Sequence, residues 1–571
     1  MYLYYNAFYE KRNDTEAVLD ELHLNNDDIM GKNGWKTAFV NDYWGRHMHN
    51  PSSHKSWRPL SVLSFRFTNL LSVQSVIGHR ALNVCFHSAA AELVSIVGVL
   101  LNPGFQQSFL LKILIKLIFS LHPVHIEAVA NAANRPHVLA VLFSLLCCDS
   151  RVNIGIYVMA LMCSLLSSET AIFQYPAIAI TMFVIHYNNT NAKTAFQRFW
   201  VALNSVMDRV TLAVIIGVLY LGLRHSFDTL SIPEGLIRPA ENPFVNLNGF
   251  HRFLNYSYIT ALHIWKSFGI DFIGRSHEYG FNCIPQIQHW NDPDGRIMLP
   301  IATFTLILCS IIGSACVSLG ALLNVLMGLS WFIALFPICG VLRVGTFVAD
   351  RICMPCTVPV SILLGYIIAK SWQLTSYFPK TRKRWQVKTA CGLLVFYYLI
   401  TFQIIVHNRV TEWMNNEGLL TSSLRACPES AKSNLEISKI YSGLYPDKID
   451  MEKAKEHLKK AEEIDPDYCD IHQQVAMILF QEKKYLEFEE RLTNAVLCPF
   501  SLQWGLNTFT QYWDAVTQES MPNFGGAAAV RRRQKHANRI RKAAEEEQLR
   551  DDMEMRRRAA GTSDLPNFNE L

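Results

Sequence analysis

The chain has 571 residues, of which 50% are hydrophobic and 18% are charged. Soluble proteins usually carry about 25% charged residues, so this composition predicts a membrane domain with polar appendages. It excludes a disordered chain, a collagen and a small disulfide scaffold. The net charge of +5 is modest for this length and does not support nucleic-acid binding.

The N-terminal segment, residues 1–79, has no apolar core long enough for a cleavable signal peptide. Residues 60–71 within it are apolar and amphipathic but too short to span, which predicts an interfacial helix. We expect this segment on the non-cytoplasmic side of the membrane. Its translocation requires either that the first span acts as the signal or that an upstream segment is missing from this sequence, and we favour the second explanation.

Ten apolar runs follow, and each approaches the roughly 17–25 residues of helix that cross a bilayer. They contain almost no acidic residues, which favours a multispanning membrane domain over residues 80–408 rather than buried helices of a soluble protein. The runs start near Ala81, Phe105, His137, Val152, Ala171, Asp208, Leu299, Gly320, Cys356 and Lys388.

Basic residues in the short loops set the expected orientation, because cytoplasmic loops are enriched in Lys and Arg. The cluster at 380–388 is therefore expected in the cytoplasm, and the segment 224–296 on the other side. Glycosylation acceptors at Asn13 and Asn255 are then expected to be modified, and Asn188 to stay bare. Four cysteines on the non-cytoplasmic side are candidates for disulfides of unassigned pairing: Cys283, Cys427, Cys469 and Cys498.

The region 409–515 is polar and has helical periodicity. Ala454, Leu458 and Ala461 share one helix face, and Ala461 lies 34 residues before Ala495, which is the tetratricopeptide period. The spacing predicts short helical repeats, with an ordinary helical hairpin as the alternative. The charged tail, 516–571, is expected to be a solvated helix or disordered.

Polar residues near the ends of membrane spans are the places to look for chemistry. The adjacent acids Asp20 and Glu21 precede the first span and offer a general base, although such pairs are usually just solvated. Asp27 and Asp28 form an equally plain acidic pair. Arg58 can contact a phosphate, or its side chain can extend towards lipid headgroups.

Further polar clusters follow the second and later spans. His122 and His125 suggest a metal, but they straddle a proline and lack a further ligand at a useful spacing, so we expect no metal site. Glu169 is an acid between two spans. Arg351 can hold a lipid phosphate or pair with Asp350.

Several motifs carry a resemblance that covers about residues 15–500. The segment 53–66 reads Ser-His-Lys-Ser-Trp-Arg-Pro-Leu-Ser-Val-Leu-Ser-Phe-Arg, and residues 121–129 read Leu-His-Pro-Val-His-Ile-Glu-Ala-Val. Segments 41–45, 238–244 and 283–285 follow in the expected order, as does the segment around Arg351. With these motifs the chain resembles the transmembrane and tetratricopeptide-repeat-containing O-mannosyltransferases.

The resemblance implies an all-α, polytopic helix bundle of the GT-C type in the endoplasmic reticulum membrane, with about ten spans and lumenal repeats. Such enzymes move mannose from dolichyl-phosphate-mannose to Ser or Thr of secretory-pathway proteins such as cadherin-type domains. The reaction is inverting and metal-independent, and it uses no cofactor besides the lipid-linked donor.

The resemblance also implies roles for individual residues. Asp20 and Glu21 map onto the family's catalytic acidic pair, with Asp20 the better candidate for the base. The family's Arg-Ala-Asp motif is Arg135-Pro136-His137 here, which loses a carboxylate. Departures of this kind leave open a catalytically degenerate membrane scaffold that binds client proteins, whereas a transporter is disfavoured because no inverted repeat is visible. The expected donor-binding residues are Arg58, His122, His125, Glu127, Arg135, Glu169 and Arg351.

Overall fold

The computed structural model is helical throughout the residues it describes, which confirms the predicted all-α fold class. An isolated bridge between Asn41 and His47 is the only β pairing within those residues. The described ranges are 26–50, 53–72, 76–103, 109–227, 242–275, 283–288, 295–342, 344–374, 382–444 and 448–497, with isolated positions between 505 and 546.

The chain divides into two compact units, Met1–Pro428 and Glu429–Leu571. The domain boundary expected at 408/409 falls inside one continuous helix, because the last apolar run extends to Glu412. The helices of the first unit are α1 (Asp27–Met30), α2 (Pro59–Ser72), α3 (Val76–Leu101), α4 (Phe109–Ser120), α5 (His125–Ala130), α6 (Arg135–Cys148), α7 (Ile154–Ser167), α8 (Tyr175–Asn189), α9 (Ala195–Ser226), α10 (Gly249–Ser267), α11 (Met298–Val317), α12 (Leu319–Ser330), α13 (Thr357–Leu374), α14 (Arg382–Glu412) and α15 (Asn416–Ala426).

Helices occupy all ten of the apolar runs. Within the described ranges, six helical segments are long and apolar enough to cross a membrane. The helices α4, α6 and α7 have 12, 14 and 14 residues and are too short to count among them. Helix α13 has 18 residues but is not apolar enough. At about 1.5 Å per residue, 14 residues reach only about 21 Å of a hydrocarbon core about 30 Å thick. The six segments are Val76–Leu101, Glu169–Asn189, Ala195–Ser226, Met298–Val317, Leu319–Ile338 and Trp385–Glu412.

The described part of the N-terminal segment is organised by a buried carboxylate. Asp28 is 2% exposed and accepts hydrogen bonds from the side chains of Asn33, Thr37 and Asn41 at 2.6–2.8 Å. These contacts tie α1 to the residues before α2. Asp28 therefore has a structural role, and of the acidic pair only Asp27 is largely exposed.

Two glycines let α4 approach its neighbours closely. Ile115 of α4 lies against Gly98 of α3 on one side and against Gly365 of α13 on the other. A Cβ at Gly365 would lie 2.6 Å from Ile115 Cγ1 and 3.2 Å from the Ile115 backbone nitrogen. Small residues at such crossings are typical of membrane helix packing.

We expect Gly365→Val to destabilise the first unit by about 2 kcal/mol or more, because the Ile115 backbone cannot move aside as a side-chain end can. The measurement is the apparent Tm of the detergent-purified protein. The matched control is Gly313→Val on α11, where a Cβ would have no atom within 4 Å and no loss is expected. Equal Tm values for the two variants would contradict the close α4–α13 packing.

The segments after α10 and α15 are covalently joined. Cys283 forms a disulfide with Cys427, which gives the pairing that the sequence left open, and Cys469 is also disulfide-bonded. The expected glycosylation of Asn255 is wrong for the folded chain, because its side chain is 1% exposed and its Nδ2 donates to the Ile287 carbonyl at 3.1 Å. Asn13 lies outside the described residues.

The second unit contains two helical hairpins in its described part. Ala454, Leu458 and Ala461 are buried, which confirms the predicted apolar face, and Ala495 is buried at the corresponding place 34 residues after Ala461. Almost all of the charged tail lies outside the described residues. The helices pack as α16 (Ala431–Lys439) on α17 (Met451–Ile464), and α18 (Cys469–Gln481) on α19 (Tyr485–Leu497).

Candidate functional site

Arg58 is fixed by the turn that leads into α2. Pro59 begins that helix, and the residue before a proline is restricted to extended backbone. The buried indole of Trp57 donates to the Phe39 carbonyl at 3.0 Å and anchors the same turn. The guanidinium of Arg58 is therefore presented from a defined position at the start of α2.

Arg58 forms a bidentate ion pair with Glu169, which begins a short 3-10 helix, Glu169–Gln174, directly after α7. Its Nε and Nη2 each donate to one carboxylate oxygen at 2.8 Å. Burial would lower the pKa of Arg58, but the Glu169 charge outweighs burial and the pKa is raised. The side chains remain 18% and 27% exposed, so a ligand can still reach the pair.

A second arginine–glutamate pair joins α5 to a 3-10 turn over Asp350–Cys353. The backbone N–H of Arg351 donates to Glu127 Oε2 at 2.9 Å, and its Nη1 donates to Oε1. Glu127 is 5% exposed, whereas the Arg351 side chain is 18% exposed. Because one carboxylate holds both the backbone and the side chain, the guanidinium is oriented before any ligand binds.

His137 lies close to both pairs. It is the third residue of α6 and is half-buried. Its imidazole interacts electrostatically with Arg58, Arg351 and Glu169. Three of the expected donor-binding residues thus lie around one histidine, and Glu127 joins them through its ion pair with Arg351. We call Arg58, Glu169, Glu127, Arg351 and His137 the arginine–glutamate site.

Arg135, two residues before His137, has a different environment. Its side chain is 0% exposed, and its guanidinium donates to Asn83 Oδ1 at 2.7 Å and to Thr68 Oγ1 at 2.8 Å. It also lies 4.4 Å from the centre of the Phe65 ring. These contacts fasten α2, α3 and α6 to one another, and they leave the guanidinium no exposed surface for a lipid phosphate.

The expected donor-binding histidines are also interior. His125 shares hydrogen bonds with His87 at 2.9 Å and with Thr357 Oγ1 at 2.8 Å, which connects α5 to α3 and α13. Burial lowers the pKa of His122 to about 3 and that of His125 well below its usual value. Both imidazoles are therefore neutral at physiological pH and add no positive charge for a phosphate.

A buried lysine beside the site was not anticipated from the sequence. Lys266, at the end of α10, is 2% exposed and donates to Asp350 Oδ1 and Asp271 Oδ2, both at 3.0 Å. Burial would raise the pKa of Asp350, but Lys266 and Arg275 outweigh it and the pKa is lowered. The sequence also allowed Arg351 to pair with Asp350. That alternative is wrong, because the Asp350 carboxylate pairs with Lys266 and Arg351 pairs with Glu127. Lys266 is the one lysine of α10, and this was the available signal.

The expected catalytic acids, Asp20 and Glu21, lie outside the described residues. Within the residues that the structure describes, no group of three or more His, Cys, Asp or Glu side chains is arranged to hold a metal ion. The two pre-oriented guanidinium groups of Arg58 and Arg351 offer anion binding in this region.

The fold and the site together define a multi-pass, all-α membrane protein with two arginine–carboxylate pairs in one cluster. The chain is 26% identical over 465 residues to the protein O-mannosyl-transferase F38B6.6 of Caenorhabditis elegans, which covers 80% of this chain and 60% of that protein. It is 24% identical over 470 residues to human TMTC4, covering 75% of this chain and 60% of that protein.

Human TMTC3, another protein O-mannosyl-transferase, is 36% identical over 132 residues, or 23% of this chain and 13% of that protein. These relatives confirm the resemblance to the transmembrane and tetratricopeptide-repeat-containing O-mannosyltransferases. The chain spans about 60% of the length of the first two relatives. No family model matches the chain. No solved structure matches it either.

Proposed function

We propose that this chain is a protein O-mannosyltransferase of the endoplasmic reticulum. Its donor is dolichyl-phosphate-mannose, and its acceptors are Ser or Thr hydroxyls of secretory-pathway proteins such as cadherin-type domains. The observation that carries the proposal is the convergence of two arginine–glutamate pairs on one half-buried site. The names of relatives matched over 75–80% of the chain support the mannosyl transfer.

The proposed reaction is a single inverting displacement. The acceptor oxygen forms a bond to the anomeric carbon, and the bond from that carbon to the phosphate oxygen breaks. Dolichyl phosphate leaves with the bonding electrons, and the hydroxyl proton passes to Asp20 or Glu21 acting as general base. Arg58 and Arg351 stabilise the charge that develops on the phosphate, so the reaction requires no metal ion.

The two glutamates have a supporting role in this mechanism. A guanidinium has five N–H donors, and Arg58 uses two of them on Glu169. Its other N–H groups have no acceptor in the described ranges and are available to a phosphate. Glu169 and Glu127 hold the arginines in place, which reduces the reorganisation needed when the donor arrives.

The disulfide between Cys283 and Cys427 supports the lumenal location of their segments, because disulfides persist in oxidising compartments. The active site is then proposed to face the lumen, where the lipid-linked donor and unfolded or newly folded acceptors meet. The helical hairpins of the second unit are proposed to bind or orient the acceptor protein.

The test is mannose transfer in isolated membranes that contain the full chain. We expect labelled mannose to pass from dolichyl-phosphate-mannose to a cadherin-type domain, and not from GDP-mannose. The same domain with its Ser and Thr acceptors changed to Ala is the control. Adding EDTA is expected to leave the rate unchanged, and loss of transfer on EDTA addition would contradict the metal-independent mechanism.

A catalytically degenerate scaffold that binds client proteins is the second candidate. It is favoured by the observation that both arginines are already neutralised by glutamates. The scaffold predicts neither transfer nor any effect of dolichyl phosphate on the apparent Tm of the purified chain. Transfer by the wild-type chain would exclude it.

A further inference from the structure

His137 belongs to the arginine–glutamate site but has no part in the mechanism described so far. It is half-buried in the first turn of α6. Its imidazole makes no hydrogen bond with any residue in the described ranges, and its ring nitrogens are not among the buried unpaired atoms. This partly exposed imidazole is therefore available to a ligand.

The surroundings of His137 indicate the kind of ligand. Helix α6 packs against the 3-10 helix that begins at Glu169 and against α5, which carries Glu127. His137 interacts electrostatically with Arg58 and Arg351, whose guanidinium groups come from distant parts of the sequence. His137 therefore belongs to the same cluster of charged groups as both arginines.

We propose that His137 contacts the phosphate of the lipid-linked donor, donating an imidazole N–H to a phosphate oxygen between Arg58 and Arg351. This inference rests on the proposed function and extends it by one donor-binding residue. The two arginines and two glutamates have no net charge. An arriving phosphate therefore gains from an additional N–H donor that has no competing acceptor in the described ranges.

Two substitutions separate hydrogen bonding from packing. His137→Phe keeps an aromatic ring of similar size but removes the N–H, whereas His137→Gln keeps an N–H donor. A hydrogen bond to a charged group is worth about 10–100-fold in affinity, so we expect Phe to raise the Kd for dolichyl phosphate by that factor. We expect Gln to stay within about threefold of the wild type.

Binding is measured on the full chain in detergent, from the ligand dependence of the apparent Tm. Three probes are compared: dolichyl phosphate, dolichol and inorganic phosphate. The control is His251→Phe, because His251 is exposed on α10. Unchanged affinity in His137→Phe, or equally weak binding in His137→Phe and His137→Gln, would overturn the proposal. If inorganic phosphate binds as tightly as dolichyl phosphate, the proposal that the ligand is the phosphate of a lipid is overturned.

A second measurement needs no variant. Diethyl pyrocarbonate modifies accessible imidazoles, and mass spectrometry locates the modified histidines. We expect dolichyl phosphate to protect His137 but not His251, and equal modification of His137 with and without ligand would contradict the contact. A wild-type chain that binds no dolichyl phosphate contradicts the proposed function itself. Binding without a contribution from His137 contradicts this inference alone.

Discussion

Replacing Arg58 with Met is expected to reduce mannose transfer by about 10²–10³-fold, because the proposed site then loses a pre-oriented donor to the leaving phosphate. It also leaves the Glu169 carboxylate without its bidentate partner. Removing one member of a buried pair costs about 3–5 kcal/mol. Since both side chains keep partial exposure, we expect about 2–3 kcal/mol here, measured as a lower apparent Tm.

A double variant separates the two effects. Arg58→Met with Glu169→Leu removes both charges, and apolar replacement of a buried pair is often neutral for stability. We therefore expect the double variant to recover most of the Tm and none of the transfer. Recovery of wild-type transfer would limit the pair to a structural role. Lys32→Met is the matched control, because Lys32 pairs with Asp27 on the surface and its loss costs less than about 1 kcal/mol.

The arginine–glutamate pairs have a physical reason in a protein that is proposed to bind a lipid phosphate. A guanidinium held in a partly apolar site without a carboxylate is costly while no donor is bound. Pairing Arg58 with Glu169 and Arg351 with Glu127 removes that cost. The same carboxylates orient the guanidinium groups, so stability of the empty site and readiness for a phosphate have a common origin.

The positions of the helices could be predicted from sequence because apolar length is a local property. Each of the ten apolar runs became a helix, although six helical segments in the described part of the chain are long and apolar enough to span. The bounds of the polar unit were less predictable, since α14 continues through 408/409 with no proline or glycine to end it there.

The candidate site was predictable only in part, because its contacts are long-range. Polar residues at span ends indicated Arg58, Glu169, Glu127 and Arg351, but no periodicity connects Arg58 with a glutamate 111 residues away. The sequence could not distinguish Arg135, whose guanidinium is wholly buried, from the partly exposed arginines. Burial depends on the packing of α2, α3 and α6, which local patterns do not determine.

Replacing Asp20 with Asn and Glu21 with Gln together is expected to reduce mannose transfer by about 10²–10⁴-fold, the usual contribution of a general base. Binding of dolichyl phosphate is expected to stay within about threefold of the wild type, because the arginines proposed to hold the phosphate lie elsewhere in the chain. The transfer assay measures the catalytic rate, and the dependence of the apparent Tm on dolichyl phosphate measures its binding. The single variants then assign the base, and we expect Asp20→Asn to have the larger effect.

The control for this variant is Asp27→Asn in the same N-terminal segment, because Asp27 is 58% exposed and its ion pair with Lys32 lies on the surface. Wild-type transfer by the Asp20 and Glu21 double variant would contradict the base assignment. Asp28 is a poor substitute in that case, since three side chains donate hydrogen bonds to its carboxylate and a base needs an accessible oxygen.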